Sequence, residues 1–266
     1  MSTELAGHPT RLRVWPGADR PALALHCMMG HSGLWAPVAE LLADLVALSA
    51  FDLAGHGAAA PFDPAGPDYT TLATRMAGAA INRPVDLIGH SFGAVVALRL
   101  ALRAPQAVRS LVLIEPVLFA AARGTPFWPE VAAMRDHLDA RIAAGEDEAA
   151  AREFMAVWGG AAPWEGLPEP MRAAFTAQVA LVQATGPDVY DDRGGLLAPG
   201  GLEALDLPVM MIAGGESLPV MAAIQDSIAD RLPDVARTSL PGAGHMLPLT
   251  HPRQVADLIR VNLTRA

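Results

Sequence analysis

The stretch Gly89-His90-Ser91-Phe92-Gly93 lies between an apolar run, residues 85–89, and a segment, residues 92–103, whose apolar residues recur at helical spacing. A serine with a glycine two residues before and two after it suits a sharp strand-to-helix turn. The glycines let neighbouring chains pass closely, the turn exposes the hydroxyl, and the helix N-terminus favours developing negative charge. With 24 glycines in 266 residues, chance supplies only about 0.06 matches to such a pattern. An incidental serine in a glycine-rich turn is a poor account of it.

Outward from this turn, short apolar runs alternate with amphipathic stretches. Strands are predicted at 10–15, 21–27, 46–51, 85–89, 108–114, 209–213 and 236–240, and helices at 36–45, 71–81, 92–103, 219–232 and 252–263. Several of the strands are apolar without alternation, as strands covered on both faces of a parallel sheet should be. The order implies an α/β fold, a doubly wound, mostly parallel sheet flanked by helices. Between 117 and 205 the alternation lapses. Only helices are predicted there, at 129–144, 146–158 and 170–185, separated by Gly-Gly and proline signals. The expected organisation is a core of residues 1–116 and 206–266 carrying a helical cap (lid) inserted at 117–205.

All 19 basic residues are arginine. Without lysine there is no Walker-type phosphate loop and no Schiff-base chemistry. The 28 acidic residues bring the net charge to −9, which argues against nucleic acid or an anionic membrane as partner. At 52% hydrophobic and 18% charged residues, the chain fills a large core and leaves little scope for long disorder. A lone cysteine, Cys27, excludes an internal disulfide and a cysteine-cage zinc site. The first residues carry no basic-then-apolar export pattern, and no apolar stretch approaches the ~18 residues of a membrane span. A cytoplasmic protein acting on a small molecule, as a monomer or homodimer, is the expectation.

Gly242-Ala243-Gly244-His245 falls between the last predicted strand and the last predicted helix. A hydroxyl nucleophile needs a base within hydrogen-bond reach, and imidazole has the basicity that suits neutral pH. A histidine in that loop meets a serine after a mid-chain strand at one place, the carboxyl edge of the sheet. His56 and His90 have no acidic or cysteine partners at ligand spacing and read as turn residues.

In these motifs the chain resembles the α/β-hydrolase fold superfamily, nearest its small cap-bearing esterases, C–C bond hydrolases and haloperoxidases. Leu25-His26-Cys27-Met28 with Trp35 resembles the family's oxyanion loop, and Asp52-Leu53-Ala54-Gly55-His56-Gly57 its D-x-x-G-x-G turn. The resemblance implies Ser91 as nucleophile, His245 as general base, and the Met28 and Phe92 amides as the oxyanion hole. The family usually has glycine where Cys27 stands, and a cysteine would be strained there if the backbone required positive φ. For the triad acid, the usual family position past the penultimate strand holds Ser217, with Glu216 one residue early. The other family position, the end of the strand before the cap, holds Glu115. A carboxylate ending an apolar strand needs a partner, and His245 Nδ1–H is a suitable one. Glu115 is the preferred acid and Glu216 the alternative.

Together these residues predict a serine hydrolase cleaving a small apolar or aromatic ester by acyl transfer, with no metal, nucleotide or organic cofactor. His31, Phe119, Trp128 and Trp158 are the expected pocket residues. The alternatives are a C–C bond hydrolase or lyase on the same scaffold, and a small-molecule receptor that does no chemistry.

Overall fold

Uninterrupted apolar sequence at the middle of the chain becomes the middle of a sheet. The computed structural model describes residues 2–160 and 162–266. Its strands are β1 (Ser2–Leu5), β2 (His8–Trp15), β3 (Pro21–Leu25), β4 (Ala47–Phe51), β5 (Val85–His90), β6 (Val108–Ile114), β7 (Val209–Gly214) and β8 (Val235–Leu240). They form one sheet in the order β1-β2-β4-β3-β5-β6-β7-β8. The pairs β1–β2 and β2–β4 are antiparallel and the other five parallel. Every residue of β5 and β7 is buried, whereas the edge strand β8 has no buried residue. The predicted strands match these with ends shifted by up to two residues, and β1, a four-residue antiparallel edge, is the addition.

The helices are α1 (Ala36–Leu42), α2 (Tyr69–Ala79), α3 (Phe92–Arg103), α4 (Trp128–Ala143), α5 (Asp147–Trp158), α6 (Glu169–Val189), α7 (Pro219–Ala229), α8 (Leu247–Thr250) and α9 (Pro252–Leu263). On one face of the sheet, Leu42 and Val38 of α1 and Ile259 of α9 meet Ile88 and Val112. On the other, α2, α3 and α7 cover Leu87, Leu111 and Met211. Alternate residues of a strand point to opposite faces, so a run such as Leu111-Val112-Leu113-Ile114 feeds both layers. Full burial of each such side chain is worth roughly 1.5–3 kcal/mol.

Between β6 and β7 the chain leaves the sheet. Helices α4, α5 and α6 pack on one another through a small cluster that includes Ala150, Ala151, Trp164 and Val179. Helix α6 runs four residues beyond the predicted end, through Gly186 and Pro187. Ties from this segment to the rest include Arg99 of α3 to Asp188 at 3.5 Å, Gln178 Nε2 to the Gly55 carbonyl at 3.1 Å, and Arg231 to the Leu197 carbonyl at 2.9 Å.

The parallel register aligns the strand ends that matter. His90 pairs with Ile114, and Ile114 with Ile212. The ladder continues one residue past each strand: the Ser91 amide donates to Ile114 O and the Glu115 amide to Ile212 O, both at 2.8 Å. Ser91 and Glu115 thereby stand side by side at the carboxyl edge.

Candidate active site

The turn at Ser91 is tight enough to dictate its neighbours. A Cβ on Gly93 would lie 2.3 Å from Leu25 O, and one on Gly89 would lie 2.4 Å from Gly93 O, so both positions require glycine. Ser91 itself has φ 58° and ψ −120°, a conformation that costs a non-glycine residue of order 1–3 kcal/mol. Serine commonly caps a helix with its hydroxyl. Here it occupies the cap position of α3 without making that bond, and its Oγ is left for another partner.

That partner is His245. Ser91 Oγ lies 3.0 Å from His245 Nε2, and His245 Nδ1 lies 2.9 Å from Glu115 Oε2. A carboxylate can only accept, so Nδ1 carries the proton and donates it, and Nε2 presents its lone pair to the serine hydroxyl. Glu115 is fully buried, and its second oxygen accepts the Gly214 amide at 2.8 Å. Two hydrogen bonds thus compensate the burial of this carboxylate. His90 Nε2–H donates to the His245 carbonyl at 2.8 Å and holds the histidine loop. Burial and the neighbouring His245 ring hold His90 neutral, with its pKa lowered to about 3.

Met28 and Phe92 both border the cavity beside Ser91. Among the described residues, neither backbone amide donates to a protein acceptor. The loop bearing Met28 is gripped from behind. His26 Nε2 accepts the Leu53 amide at 2.9 Å, and its Nδ1–H donates to Cys27 O at 2.7 Å. His56 Nε2 accepts the Met29 amide at 3.0 Å, and its Nδ1–H donates to Ala54 O at 3.0 Å. Burial lowers the pKa of His26 to about 3 and of His56 to about 4. With both nitrogens engaged, neither ring is free to bind a metal. Among the described residues no three His, Cys, Asp or Glu side chains converge as metal ligands. Cys27 does not carry the positive φ of this loop, which falls on Met29 at 57°. Burial pushes the Cys27 thiol up to about 12, so it stays protonated at neutral pH.

Beside Ser91, helices α4, α5 and α6 border a partly open cavity of about 150 Å³. Phe119, Met134, Phe154, Trp158, Val182 and Tyr190 form much of its wall, with polar side chains from α4, α5 and α6 also bordering it. The Trp158 ring meets His245 edge-on at 4.8 Å. Two expected pocket residues do not border this cavity. His31 is exposed and its Nδ1 accepts the Gly33 amide at 3.1 Å, because it caps the short turn Ser32–Trp35. Trp128 is half-buried at the start of α4, with the Arg123 guanidinium over its ring at 5.2 Å. Glu216 is exposed, and among the described residues only its backbone is bonded, to Ala243 O. Sequence reasoning missed the Gly214 amide, the His90 anchor and the grip of His26 and His56. Each is a contact across the sheet edge that leaves no local pattern.

A family model described as the alpha/beta hydrolase family matches residues 22–258. The chain belongs to that family. It is 30% identical over 259 residues to the pimeloyl-[acyl-carrier protein] methyl ester esterase of Methylococcus capsulatus, covering 91% of this chain and 94% of that one. The corresponding esterase of Nitrosomonas europaea is 28% identical, covering 86% and 90%. Among solved structures, the epoxide hydrolase of Bacillus megaterium superposes with a TM-score of 0.79 at 16% identity, covering 99% of this chain and all of that one, a likeness of fold. This α/β hydrolase is an enzyme, and among its described residues no helix is long and apolar enough to cross a membrane.

Proposed function

We propose that this α/β hydrolase is a serine esterase that cleaves small apolar or aromatic esters of simple alcohols through an acyl-enzyme. The unbroken hydrogen-bond relay from Ser91 Oγ through His245 to Glu115 carries the reading. Ser91 Oγ attacks the ester carbonyl as His245 Nε2 takes its proton, and the imidazolium is stabilised by the Glu115 carboxylate. Charge building on the carbonyl oxygen is met by the unpartnered Met28 and Phe92 amides, aided by the N-terminus of α3. His245 then returns the proton to the departing alkoxide. A water molecule, deprotonated by the same nitrogen, releases the acid and restores Ser91.

Cavity size limits the substrate. A space of about 150 Å³ matches apolar cavities that hold one benzene ring, so an acyl group of that bulk is the upper range. Methyl ester cleavage by the Methylococcus and Nitrosomonas relatives supports a small alcohol on the other side of the bond. A fluorophosphonate probe should label Ser91 covalently, and Ser91→Ala should lose at least ~10³ in kcat on methyl and p-nitrophenyl esters with its fold intact. Absence of labelling in an enzyme of native stability overturns the proposal.

A further inference from the structure

The cavity wall is not uniform. A ladder of ring contacts leads away from the site: His245 to Trp158 at 4.8 Å, Trp158 to Phe119 at 5.9 Å, and Phe119 stacked on Tyr190 at 4.7 Å with planes 26° apart. At its far end the Arg135 guanidinium lies over the Tyr190 ring, 5.1 Å from its centre. Arg135, Asp139 and Gln183 border the cavity there, and the paired His137 and Glu153 also reach its wall, so a largely apolar space has a polar corner.

Most polar atoms of that corner are already committed. Arg135 Nη1 donates to Asp191 at 3.0 Å, its Nε faces Asp139 at 3.7 Å, and Gln183 Nε2 donates to Asp139 at 3.0 Å. Three atoms are not: the Tyr190 hydroxyl, Arg135 Nη2 and Gln183 Oε1 have no hydrogen-bond partner among the described residues. Tyr190 is mostly buried, and burial raises its pKa, so the phenol remains a donor at any working pH. The hydroxyl is not among the sealed, unsatisfied polar atoms, so it is open to the cavity, and an acceptor on a ligand there would give it the partner that the protein does not. Asp191 is shared between Arg135 and Arg123 while Asp139 faces Arg135, so two carboxylates balance two guanidinium groups and the corner offers donors without a net positive field.

We propose that this corner is a specificity subsite for a neutral carbonyl at the distal end of the acyl group, accepted by the Tyr190 hydroxyl. The substrates are then small esters with an apolar middle and a ketone or amide carbonyl at the far end, the middle lying along the Phe119 and Trp158 rings. Spare Gln183 Oε1 extends the fit to the N–H of an amide. This inference rests on the ester reading of Ser91.

The test uses methyl alkanoates with a ketone at carbon 4, 5, 6 or 7, each compared with the isostere carrying CH–CH₃ in its place. At one position or two adjacent ones, kcat/KM should favour the keto ester about 5–10-fold, the range of one hydrogen bond to a sheltered donor. Tyr190→Phe keeps the ring stack and should collapse that ratio to about one. The matching distal carboxylate should be a poorer substrate than the ketone. Turnover of every ester with no ketone preference at any position overturns the subsite, as does an undiminished ratio in Tyr190→Phe or a preference for the carboxylate. If the wild-type enzyme turns over none of these esters and Ser91 takes no label, the ester reading itself has failed and the subsite falls with it.

Discussion

Replacing Glu115 by glutamine probes the relay at its most constrained point. The two side chains have nearly the same shape, so packing around this fully buried residue is conserved. What changes is the hydrogen bonding. In the wild type, one carboxylate oxygen accepts from the Gly214 amide at 2.8 Å and the other from His245 Nδ1–H at 2.9 Å. A glutamine must turn its oxygen to the Gly214 N–H, because its NH₂ cannot accept from it. The NH₂ group then faces His245 and forces Nδ1 to become the acceptor. Its proton moves to Nε2, where the proposed mechanism needs a lone pair to accept the Ser91 proton. A wrong-tautomer base of this kind lowers kcat by about 10⁴ in a comparable triad, equivalent to about 5 kcal/mol of barrier. Steady-state hydrolysis of a p-nitrophenyl ester measures kcat, and fluorophosphonate labelling of Ser91 should slow by a similar factor. KM and the thermal midpoint should move little, and Glu216→Gln, at an exposed position, should retain nearly full activity. A Glu115→Gln enzyme within tenfold of wild type, or an equal loss in Glu216→Gln, refutes the reasoning.

Stability should fall in mild acid, since His26, His56 and His90 have pKa values lowered to about 3, 4 and 3 by burial. The unfolded chain binds protons below about pH 6.5 that the folded one refuses, so stability is full above that pH and is lost as pH falls toward 4. Each imidazole contributes a loss of about 2 kcal/mol at pH 5, and an unchanged thermal midpoint between pH 7 and pH 5 would count against their burial as neutral rings. Trp158→Ala should enlarge the cavity beside His245 and raise the kcat/KM ratio of methyl naphthoates over methyl benzoates about tenfold or more. An unchanged ratio alongside a large drop in thermal midpoint would show that Trp158 only packs.

Local sequence carried the strands and helices of the core because each is a short-range pattern. The apolar run at 108–114 and the helix at 92–103 need no knowledge of the rest of the chain. That Ser91 and His245 would meet was legible for a related reason. The glycines at 89 and 93 answer to steric contacts of the turn itself, and a histidine between the last strand and helix has one edge of the sheet to occupy. Where the chain must depart from local preference, the pattern was silent. The positive φ of the loop after β3 falls on Met29 instead of Cys27, where His56 takes the Met29 amide from a turn 27 residues away.

Sequence favoured Glu115 over Glu216 as the carboxylate beside His245, and tertiary structure decided between them. By sequence, Glu115 ends an apolar strand and so needs a partner, while Glu216 in its loop stayed open as the alternative. Strand pairing settles the placement, since the Glu115 amide bonds to Ile212 O and holds its side chain at the sheet edge, while Glu216 faces solvent. The same holds for the cavity. Trp128 and Trp158 are equally apolar in sequence, yet the turns of α4 and α5 set one under Arg123 and the other against the His245 ring. Periodicity tells which residues need burial, and only the packing of one element on another tells what they are buried against.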